Sequence, residues 1–254
     1  MNLDGKAALV TGGGTGVGRA TCLALAERGC AVLVNYSRSR EGAEQTAAAA
    51  AAKGVKALAV RADVSRDEEC RKLVDEAVRE LGGLDVLVNN AGTTRFIDHR
   101  KLADVTDEDW DTILGVNVKG PFQCARAAEQ ALKAGDGGEI VNVSSVAAVY
   151  GTGSSIPYCA SKAALNSLTL TLARVMGPQV RVNAVAPGFI DGEWLRQGLG
   201  DFFDGVKSQS EGRSLLKRVS SPEDVAAAIL GFVEGSDMVT GQVLVHDGGV
   251  GIAG

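Results

Sequence analysis

The sequence is poor in the residues that build metal sites, disulfide frameworks and nucleic-acid surfaces. Of its 254 residues only His99 and His246 are histidines, and its five cysteines are dispersed without a C-x-x-C pair, which argues against zinc and against disulfides. Lys and Arg number 26 against 31 acidic residues, giving a net charge of -5, and they form no run that could neutralise a row of phosphates. We expect no bound metal and no nucleic-acid partner.

Long hydrophobic runs are also missing. The apolar stretches are strand-sized or interrupted, and Met1–Lys6 has no hydrophobic segment of the signal-peptide kind, so we expect no membrane attachment and a cytoplasmic protein. Dispersed cysteines fit buried thiols in a reducing compartment. With 45% hydrophobic residues, the 254-residue chain can bury a substantial core, and we predict one domain over 1–254.

Seven short runs rich in Val, Leu and Ala alternate with helical patterns. Continuous apolarity, rather than alternation, is typical of strands in a parallel sheet covered by helices on both faces. The expected strands are Ala7–Val10, Ala31–Asn35, Lys56–Arg61, Leu84–Asn89, Glu139–Val143, Val180–Val185 and Gln242–Val245. Helices are expected to begin near Thr106 and Ser221, where acidic residues fall in a first turn. We predict an α/β fold: a single Rossmann-type, doubly wound, seven-stranded parallel sheet flanked by helices on both faces.

The segment 189–218 does not follow this alternation of strand and helix patterns. It mixes five glycines with Trp194, Phe202, Phe203 and many charges. Aromatic residues on a long glycine-containing segment suit closure over a substrate, so we predict a lid at 189–218; an ordinary surface excursion is the alternative.

A glycine-rich turn follows the first strand. It reads Thr11-Gly12-Gly13-Gly14-Thr15-Gly16-Val17-Gly18 and leads into a helical pattern over Arg19–Arg28. Glycines let a pyrophosphate approach backbone N–H groups at the positive end of a helix, so the turn indicates a dinucleotide. The expected contacts are Gly12, Gly14, Thr15, Gly16, Val17 and Gly18.

Further stretches follow in a recognisable order. They are Asp63-Val64, Asn89-Asn90-Ala91-Gly92, Asn117, Ser144-Ser145, Tyr158-Cys159-Ala160-Ser161-Lys162 and Pro187-Gly188. Together with the T-G-x-x-x-G-x-G spacing of the turn, they resemble the short-chain dehydrogenase/reductase family over nearly the whole chain. Asn35–Ser39, the length and Gly241–Val245 look like its 3-oxoacyl-carrier-protein reductase branch.

Tyr158 and Lys162 lie one helical turn apart, so the ammonium can approach the phenol and lower a pKa that is about 10 when unperturbed. The resemblance implies that Tyr158 protonates a carbonyl oxygen and that Ser145 polarises that oxygen. It also implies that Lys162 holds the nicotinamide ribose, and that Asn117 supports a water which connects Lys162 to solvent.

The end of the second strand bears on the choice of nicotinamide. An acidic residue there would bind a ribose 2′-hydroxyl and repel a 2′-phosphate, but the chain has Asn35-Tyr36-Ser37 followed by Arg38 and Arg40. A guanidinium can pair with phosphate, so NADP(H) is favoured over NAD(H), with Ser37 and Arg38 as contacts. Thr15 argues the other way, because many NADP-dependent relatives carry a basic residue there. The resemblance adds Asp63, Val64, Asn90, Ala91, Gly92, Tyr158, Lys162, Pro187, Gly188 and Ile190 as cofactor contacts.

Three functions stay open. They are an NADP(H)-dependent reductase of a carbonyl compound, including a 3-oxoacyl thioester; an NAD(H)-dependent alcohol, sugar or polyol dehydrogenase; and a non-catalytic cofactor-binding sensor, against which the intact Ser145, Tyr158 and Lys162 argue. An acidic carrier protein would need bases around the site, and Lys133 and Arg174 are the nearest ones. Gly192 replaces a threonine common in the family. The resemblance further implies a homotetramer or homodimer.

Overall fold

The structure, a computed structural model, describes residues 1–253, and seven strands form one parallel sheet within them. The strands are β1 Ala7–Val10, β2 Ala31–Tyr36, β3 Ala57–Arg61, β4 Val86–Asn89, β5 Gly138–Val143, β6 Val180–Pro187 and β7 Val243–His246. Their order in the sheet is β3-β2-β1-β4-β5-β6-β7, and every neighbouring pair is parallel. The predicted doubly wound α/β sheet is confirmed.

Three strands run further toward the carboxyl edge of the sheet than predicted, namely β2, β6 and β7, the last of which ends at His246. β2 continues to Tyr36, which pairs with Arg61, and β6 continues to Pro187, which pairs with His246. Neighbouring strands therefore hold these residues in extended backbone at the carboxyl edge of the sheet, where apolar periodicity alone gives no signal.

Ten α-helices connect the strands within the described residues. They are α1 Gly16–Ala26, α2 Arg40–Ala51, α3 Asp67–Leu81, α4 Asp107–Leu114, α5 Gly120–Lys133, α6 Ala147–Tyr150, α7 Ile156–Met176, α8 Glu193–Leu199, α9 Phe203–Arg213 and α10 Pro222–Glu234. A π-helical turn over Gly115–Lys119 joins α4 to α5. No helix among residues 1–253 is long and apolar enough to cross a bilayer.

Helices cover both faces of the sheet. On one face α1, α2 and α10 pack with side chains such as Val10 and Val34, while on the other α3, α5 and α7 pack with Leu9 and Leu33. Neighbouring residues of one strand thus enter opposite cores, as the pleat of a strand requires. This double burial explains the continuous apolarity of the strands.

The expected helix starts are present. Thr106 and Ser221 each cap a helix, and their side-chain oxygens accept hydrogen bonds from the backbone N–H groups of Asp109 and Asp224. The first helix begins at Gly16, three residues before the predicted start at Arg19.

The predicted lid segment 189–218 contains α8 and α9, joined by a short 3-10 turn. The Phe189 and Phe203 rings lie 5.4 Å apart, and the Arg196 guanidinium lies 4.1 Å from the centre of the Phe203 ring. These contacts hold the segment as a folded unit between β6 and α10.

Candidate active site

The glycine turn meets the loop after β4 at the point where the strand order reverses. Thr11 Oγ1 accepts hydrogen bonds from the backbone N–H groups of Asn90 and Ala91, each 3.0 Å long. The crevice between β1 and β4 at the carboxyl edge is where doubly wound sheets bind ligands. The elements predicted to bind cofactor therefore come together there.

Close approach and positive φ require glycine in this turn. Gly12 and Gly16 have φ of 62° and 50°, and a Cβ at Gly18 would collide with the Gly12 carbonyl oxygen. Thr15 precedes α1 and makes no side-chain capping hydrogen bond, which leaves the N–H groups of the first helical turn available to an anion. This geometry suits a phosphate group.

Asn35 lies beneath this turn rather than at a ribose. The side chain is buried; its Oδ1 accepts a 3.3 Å hydrogen bond from the Gly12 N–H, and its Nδ2 donates one of 3.0 Å to the Ala62 carbonyl. The residues that follow β2, Ser37 and Arg38, are exposed at the edge of the crevice. Their side chains, unlike the buried one of Asn35, are therefore accessible to a ligand.

Asn90 also has a structural task. Its Nδ2 donates to the carbonyl oxygens of Thr11 and Gly12 at 2.9 and 3.0 Å. This amide fixes the shape of the glycine turn, which leaves the backbone of Asn90 for contact with a ligand.

Two polar groups follow β2 and β3 at the edge of the crevice: the unpaired base Arg38 and the partly free carboxylate of Asp63. Within residues 1–253 the exposed Arg38 guanidinium makes no ion pair, whereas Arg40 pairs with Glu44 at 2.7 Å. Asp63 Oδ1 accepts from the N–H and hydroxyl of Ser65, at 2.9 and 2.7 Å, and Oδ2 has no protein donor among the described residues. These groups suit a phosphate and an adenine amino group.

Tyr158 and Lys162 stand on α7, which Ser155 caps. The Lys162 Nζ lies 5.7 Å from the centre of the Tyr158 ring and donates a 2.7 Å hydrogen bond to the Val143 carbonyl at the end of β5. Only 4% of Lys162 is exposed, and this burial lowers its pKa to about 8.

The pKa of Tyr158 differs from the sequence-based expectation. Burial raises it to about 12, while a hydrogen bond with the Ser145 hydroxyl acts in the opposite direction. Lys162 does not lower it here, because its ammonium is directed to the Val143 carbonyl and the buried phenol loses hydration. Tyr158 is a protonated phenol at neutral pH.

Ser145 keeps a proton to donate. Its Oγ accepts a 3.1 Å hydrogen bond from the Ala147 N–H, so the hydroxyl hydrogen remains available to a neighbouring oxygen. Ser144, by contrast, is buried and donates to Asn166 Oδ1 at 2.6 Å. Of the two serines, Ser145 is the one that makes a hydrogen bond with Tyr158.

Asn117 lies in the π-helical turn and clasps the loop after β4. Its Oδ1 accepts from the Thr93 N–H at 2.8 Å, and its Nδ2 donates to the Thr93 carbonyl and to Ser161 Oγ, each at 3.0 Å. Both amide hydrogens are thus committed to protein. If Gly92 had a Cβ, that atom would lie 3.6 Å from Asn117 Oδ1 and 3.7 Å from Lys162 Nζ. The side chains of Asn117 and Lys162 therefore come together beside Gly92.

Sequence reasoning missed Thr93 and Ser161. The Ser161 hydroxyl donates to the Tyr158 carbonyl at 2.7 Å and accepts from Asn117, which connects the π-helical turn to the helix that carries Tyr158. Its position three residues after Tyr158, on the same helical face, is the available signal. Thr93 contributes only its backbone N–H and carbonyl, so the identity of its side chain gives no signal in the sequence.

The residues at and just after the end of β6 form the remaining wall of the crevice. The Pro187 carbonyl accepts from the Val146 N–H at 3.0 Å, and a Cβ on Gly188 would lie 2.9 Å from the Asp247 Cβ. Ile190 forms a β-bridge with Ser220. Gly192 caps α8 and offers no hydroxyl.

Lys133 and Arg174 do not surround this site. Lys133 ends α5 and Arg174 stands in the last turn of α7, and those helix ends lead into the beginnings of β5 and β6. The two bases therefore lie toward the amino edge of the sheet, opposite the crevice. They were wrong candidates for bases around the active-site mouth.

The described residues 1–253 contain no group of three or more His, Cys, Asp or Glu side chains placed to hold a metal ion. Their five cysteines are free thiols, of which Cys22, Cys30, Cys70 and Cys124 are buried.

A glycine turn at a sheet switch point, with a tyrosine, a lysine and a serine beside it, defines a dinucleotide-dependent oxidoreductase. Residues 12–251 match the family model described as Enoyl-(Acyl carrier protein) reductase. The chain belongs to the short-chain dehydrogenase/reductase family, as the sequence motifs indicated.

Named relatives and solved structures resemble the chain over its length. It is 47% identical over 246 residues to a Streptomyces violaceoruber protein whose name assigns it as a ketoacyl reductase of the granaticin polyketide synthase; the match covers 97% of this chain and 96% of that protein. It is 34% identical to the 3-oxoacyl-[acyl-carrier-protein] reductase FabG of Staphylococcus epidermidis, covering 96% and 98% of the two chains. A short-chain dehydrogenase from Burkholderia cenocepacia in complex with NADP has a TM-score of 0.88 and 37% identity, with 99% and 100% coverage.

Proposed function

We propose that this protein reduces a carbonyl compound to an alcohol with NADP(H), and that 3-oxoacyl thioesters are among its candidate substrates. The observation that carries the proposal is the placement of Tyr158, Ser145 and Lys162 beside the crevice formed by the glycine turn and the loop after β4. The relatives named as ketoacyl and 3-oxoacyl reductases support the reaction class.

The crevice fits NADP(H). The first-turn N–H groups of α1 suit the pyrophosphate, the free Asp63 oxygen suits the adenine amino group, and Ser37 with Arg38 suits the 2′-phosphate. The NADP complex of the Burkholderia cenocepacia relative supports the same choice. When bound, NADP(H) supplies or accepts the hydride.

The side chains of the site supply the proton that the substrate oxygen takes up. Ser145 donates its free hydroxyl hydrogen to the substrate oxygen, and Tyr158 transfers its Oη proton to that oxygen. A pKa of about 12 keeps Tyr158 protonated in the reductive direction at neutral pH. Asn117 supports a water that connects Lys162 to solvent, and the proton lost by Tyr158 is replaced through that water and the Lys162 ammonium, which lies 5.7 Å from the centre of the Tyr158 ring.

Arg38→Ala should weaken NADPH binding roughly 10- to 100-fold, because a charge-assisted contact to phosphate is lost, and should leave NADH binding unchanged. Fluorescence titration of both nicotinamides measures this. Arg40→Ala is the matched control, since Arg40 already pairs with Glu44. Unchanged NADPH affinity in Arg38→Ala, or tighter binding of NADH than NADPH by the unaltered protein, would contradict the cofactor assignment.

We further propose that segment 189–218 closes over the substrate. Its helix α8 brings Trp194 to within 6.2 Å of the Tyr158 ring, measured between ring centres. The segment also contacts the chain that follows β7, because Ser214 Oγ donates a 3.1 Å hydrogen bond to the Gly248 carbonyl, and this contact supports our proposal of a single domain.

The edge strand β7 supports a homotetramer or homodimer. Leu244 and Val245 are 43% and 38% exposed on this strand, and Leu244 borders a 260 Å³ cavity that Ala228 and Phe232 of α10 also line. An exposed apolar edge strand favours pairing with a second copy of the chain.

Leu244→Asp should reduce the molar mass measured by light scattering to that of a smaller assembly, because a carboxylate would be buried unpaired in the interface. Leu102→Asp, at an exposed residue away from β7, should leave the mass unchanged. A monomeric unaltered protein, or an unchanged mass in Leu244→Asp, would exclude this surface as the interface.

A cytoplasmic location is consistent with the thiols. Cys70 Sγ and Cys124 Sγ lie 3.6 Å apart as unbonded thiols between α3 and α5, an arrangement that suits a reducing compartment.

A further inference from the structure

We infer that the carbonyl substrate carries a planar aromatic ring, and that Trp194 and Phe96 hold that ring beside Tyr158. The inference rests on the proposed function and narrows it to a substrate class. An aromatic ring distinguishes this class from aliphatic acyl chains and from sugars.

Three aromatic rings gather at the reaction site from three separate elements. The Trp194 ring on α8 lies 6.2 Å from the Tyr158 ring, with an interplanar angle of 43°, and 5.8 Å from the Phe96 ring, with an angle of 56°. These are the separations at which aromatic side chains attract one another. Trp194 is 49% exposed, so much of its surface remains available to a ligand.

Gly198 fixes the arrangement. It stands one helical turn after Trp194 in α8, and a Cβ there would collide with the Phe96 ring. Only glycine lets that ring rest directly against the helix. The substrate wall is therefore built by close packing between α8 and the loop after β4.

That loop is also held at its base. Thr94 Oγ1 and Ser154 Oγ share a 2.7 Å hydrogen bond, and the Ile97 N–H donates to the Ser154 carbonyl at 2.8 Å. Phe96 lies between these two anchors. A preformed aromatic surface binds a flat ligand with little loss of side-chain entropy.

The bases near this wall are already paired. Arg95 pairs with Asp109 at 2.9 Å, and Asp191 pairs with both Arg196 at 2.9 Å and Lys207 at 2.6 Å. Asp204 lies 4.0 Å from Arg196 and Glu211 lies 3.9 Å from Lys207, so the basic charges are compensated within the protein, which disfavours an anionic substrate group at this position. An uncharged, flat and apolar ring is the chemistry that complements the surface.

The test compares β-tetralone with β-decalone, two bicyclic ketones that differ in the aromatic ring. With NADPH, the unaltered enzyme should have a kcat/KM roughly 2- to 10-fold higher for β-tetralone, because only its ring stacks on the wall. Trp194→Ala should abolish that preference, so that kcat/KM for the two ketones falls within about twofold of each other. Trp194→Phe should restore most of the preference and excludes general damage to the fold.

Binding gives a second readout. The chain has two tryptophans, so Trp110→Phe leaves Trp194 as the sole indole. Addition of β-tetralone with NADP⁺, a pair that cannot react, should quench its fluorescence, and β-decalone with NADP⁺ should not.

Equal kcat/KM for the two ketones in the unaltered enzyme would overturn the aromatic-ring inference and leave the proposed function intact. A preference for β-tetralone that survives in Trp194→Ala would overturn it as well. Conversely, quenching by β-tetralone with NADP⁺ but no turnover of either ketone with NADPH would support the aromatic site and contradict the proposed reductase function.

Discussion

Tyr158→Phe should lower kcat for carbonyl reduction by roughly 10²–10⁴-fold, the range expected when a positioned general acid is removed. The substitution deletes only Oη and keeps the ring that lies beside Trp194. The loss should therefore appear in kcat, while the dissociation constant for NADPH stays within about twofold, because the ring packing is unchanged.

The matched control is Tyr150→Phe. Tyr150 is 40% exposed, and its hydroxyl donates a 3.3 Å hydrogen bond to Asp247 outside the proposed proton path. This variant should turn over at nearly the unaltered rate. Equal activity of Tyr158→Phe and the unaltered enzyme would remove Tyr158 from the mechanism.

Gly18→Ala should weaken NADPH binding by roughly 100-fold or more, since several charge-assisted hydrogen bonds from the turn depend on its backbone shape. The added Cβ would collide with the Gly12 carbonyl oxygen, so the turn has to move away from the position that suits a pyrophosphate. Overpacking of this kind also costs about 1–3 kcal/mol of stability. Calorimetric titration with NADPH and thermal unfolding measure the two effects.

Gly231→Ala is the control for this change. Gly231 lies inside α10, and a Cβ there would meet no atom within 4 Å. This variant should bind NADPH normally and should be more stable by about 0.5–1 kcal/mol, the difference between glycine and alanine inside a helix. Unchanged NADPH affinity in Gly18→Ala would show that the turn does not hold the cofactor.

The sheet could be predicted because its strands are buried on both faces. In β1, Leu9 enters one core while Ala8 and Val10 enter the other, and the sequence records this as an unbroken apolar run. The strand ends at Tyr36 and Pro187 were missed, since pairing with neighbouring strands decides them.

The candidate site could be predicted where its residues lie close in sequence. Tyr158 and Lys162 share one helical face, and the glycine turn is a single segment. Contacts between distant segments left no such signal: Asn117 reaches Thr93, and Phe96 rests on Gly198. These pairs depend on the tertiary fold.

The sequence likewise did not show toward which edge of the sheet a helix runs or how deeply a side chain is buried. Lys133 and Arg174 seemed near the site because their helices flank it, but both helices return toward the amino edge of the sheet before they end. The spacing of Tyr158 and Lys162 predicted a lowered phenol pKa, whereas burial, which spacing does not reveal, raises it to about 12.

Transfer of deuterium from the cofactor tests the central claim most directly. The enzyme is incubated with β-tetralone and NADPH that carries deuterium at both positions of the nicotinamide C4, and the alcohol is analysed by mass spectrometry. We expect one deuterium on the carbinol carbon with the unaltered enzyme, and no alcohol above background with Tyr158→Phe. Alcohol formed without deuterium from NADPH, or formed equally by Tyr158→Phe, would contradict hydride transfer assisted by Tyr158.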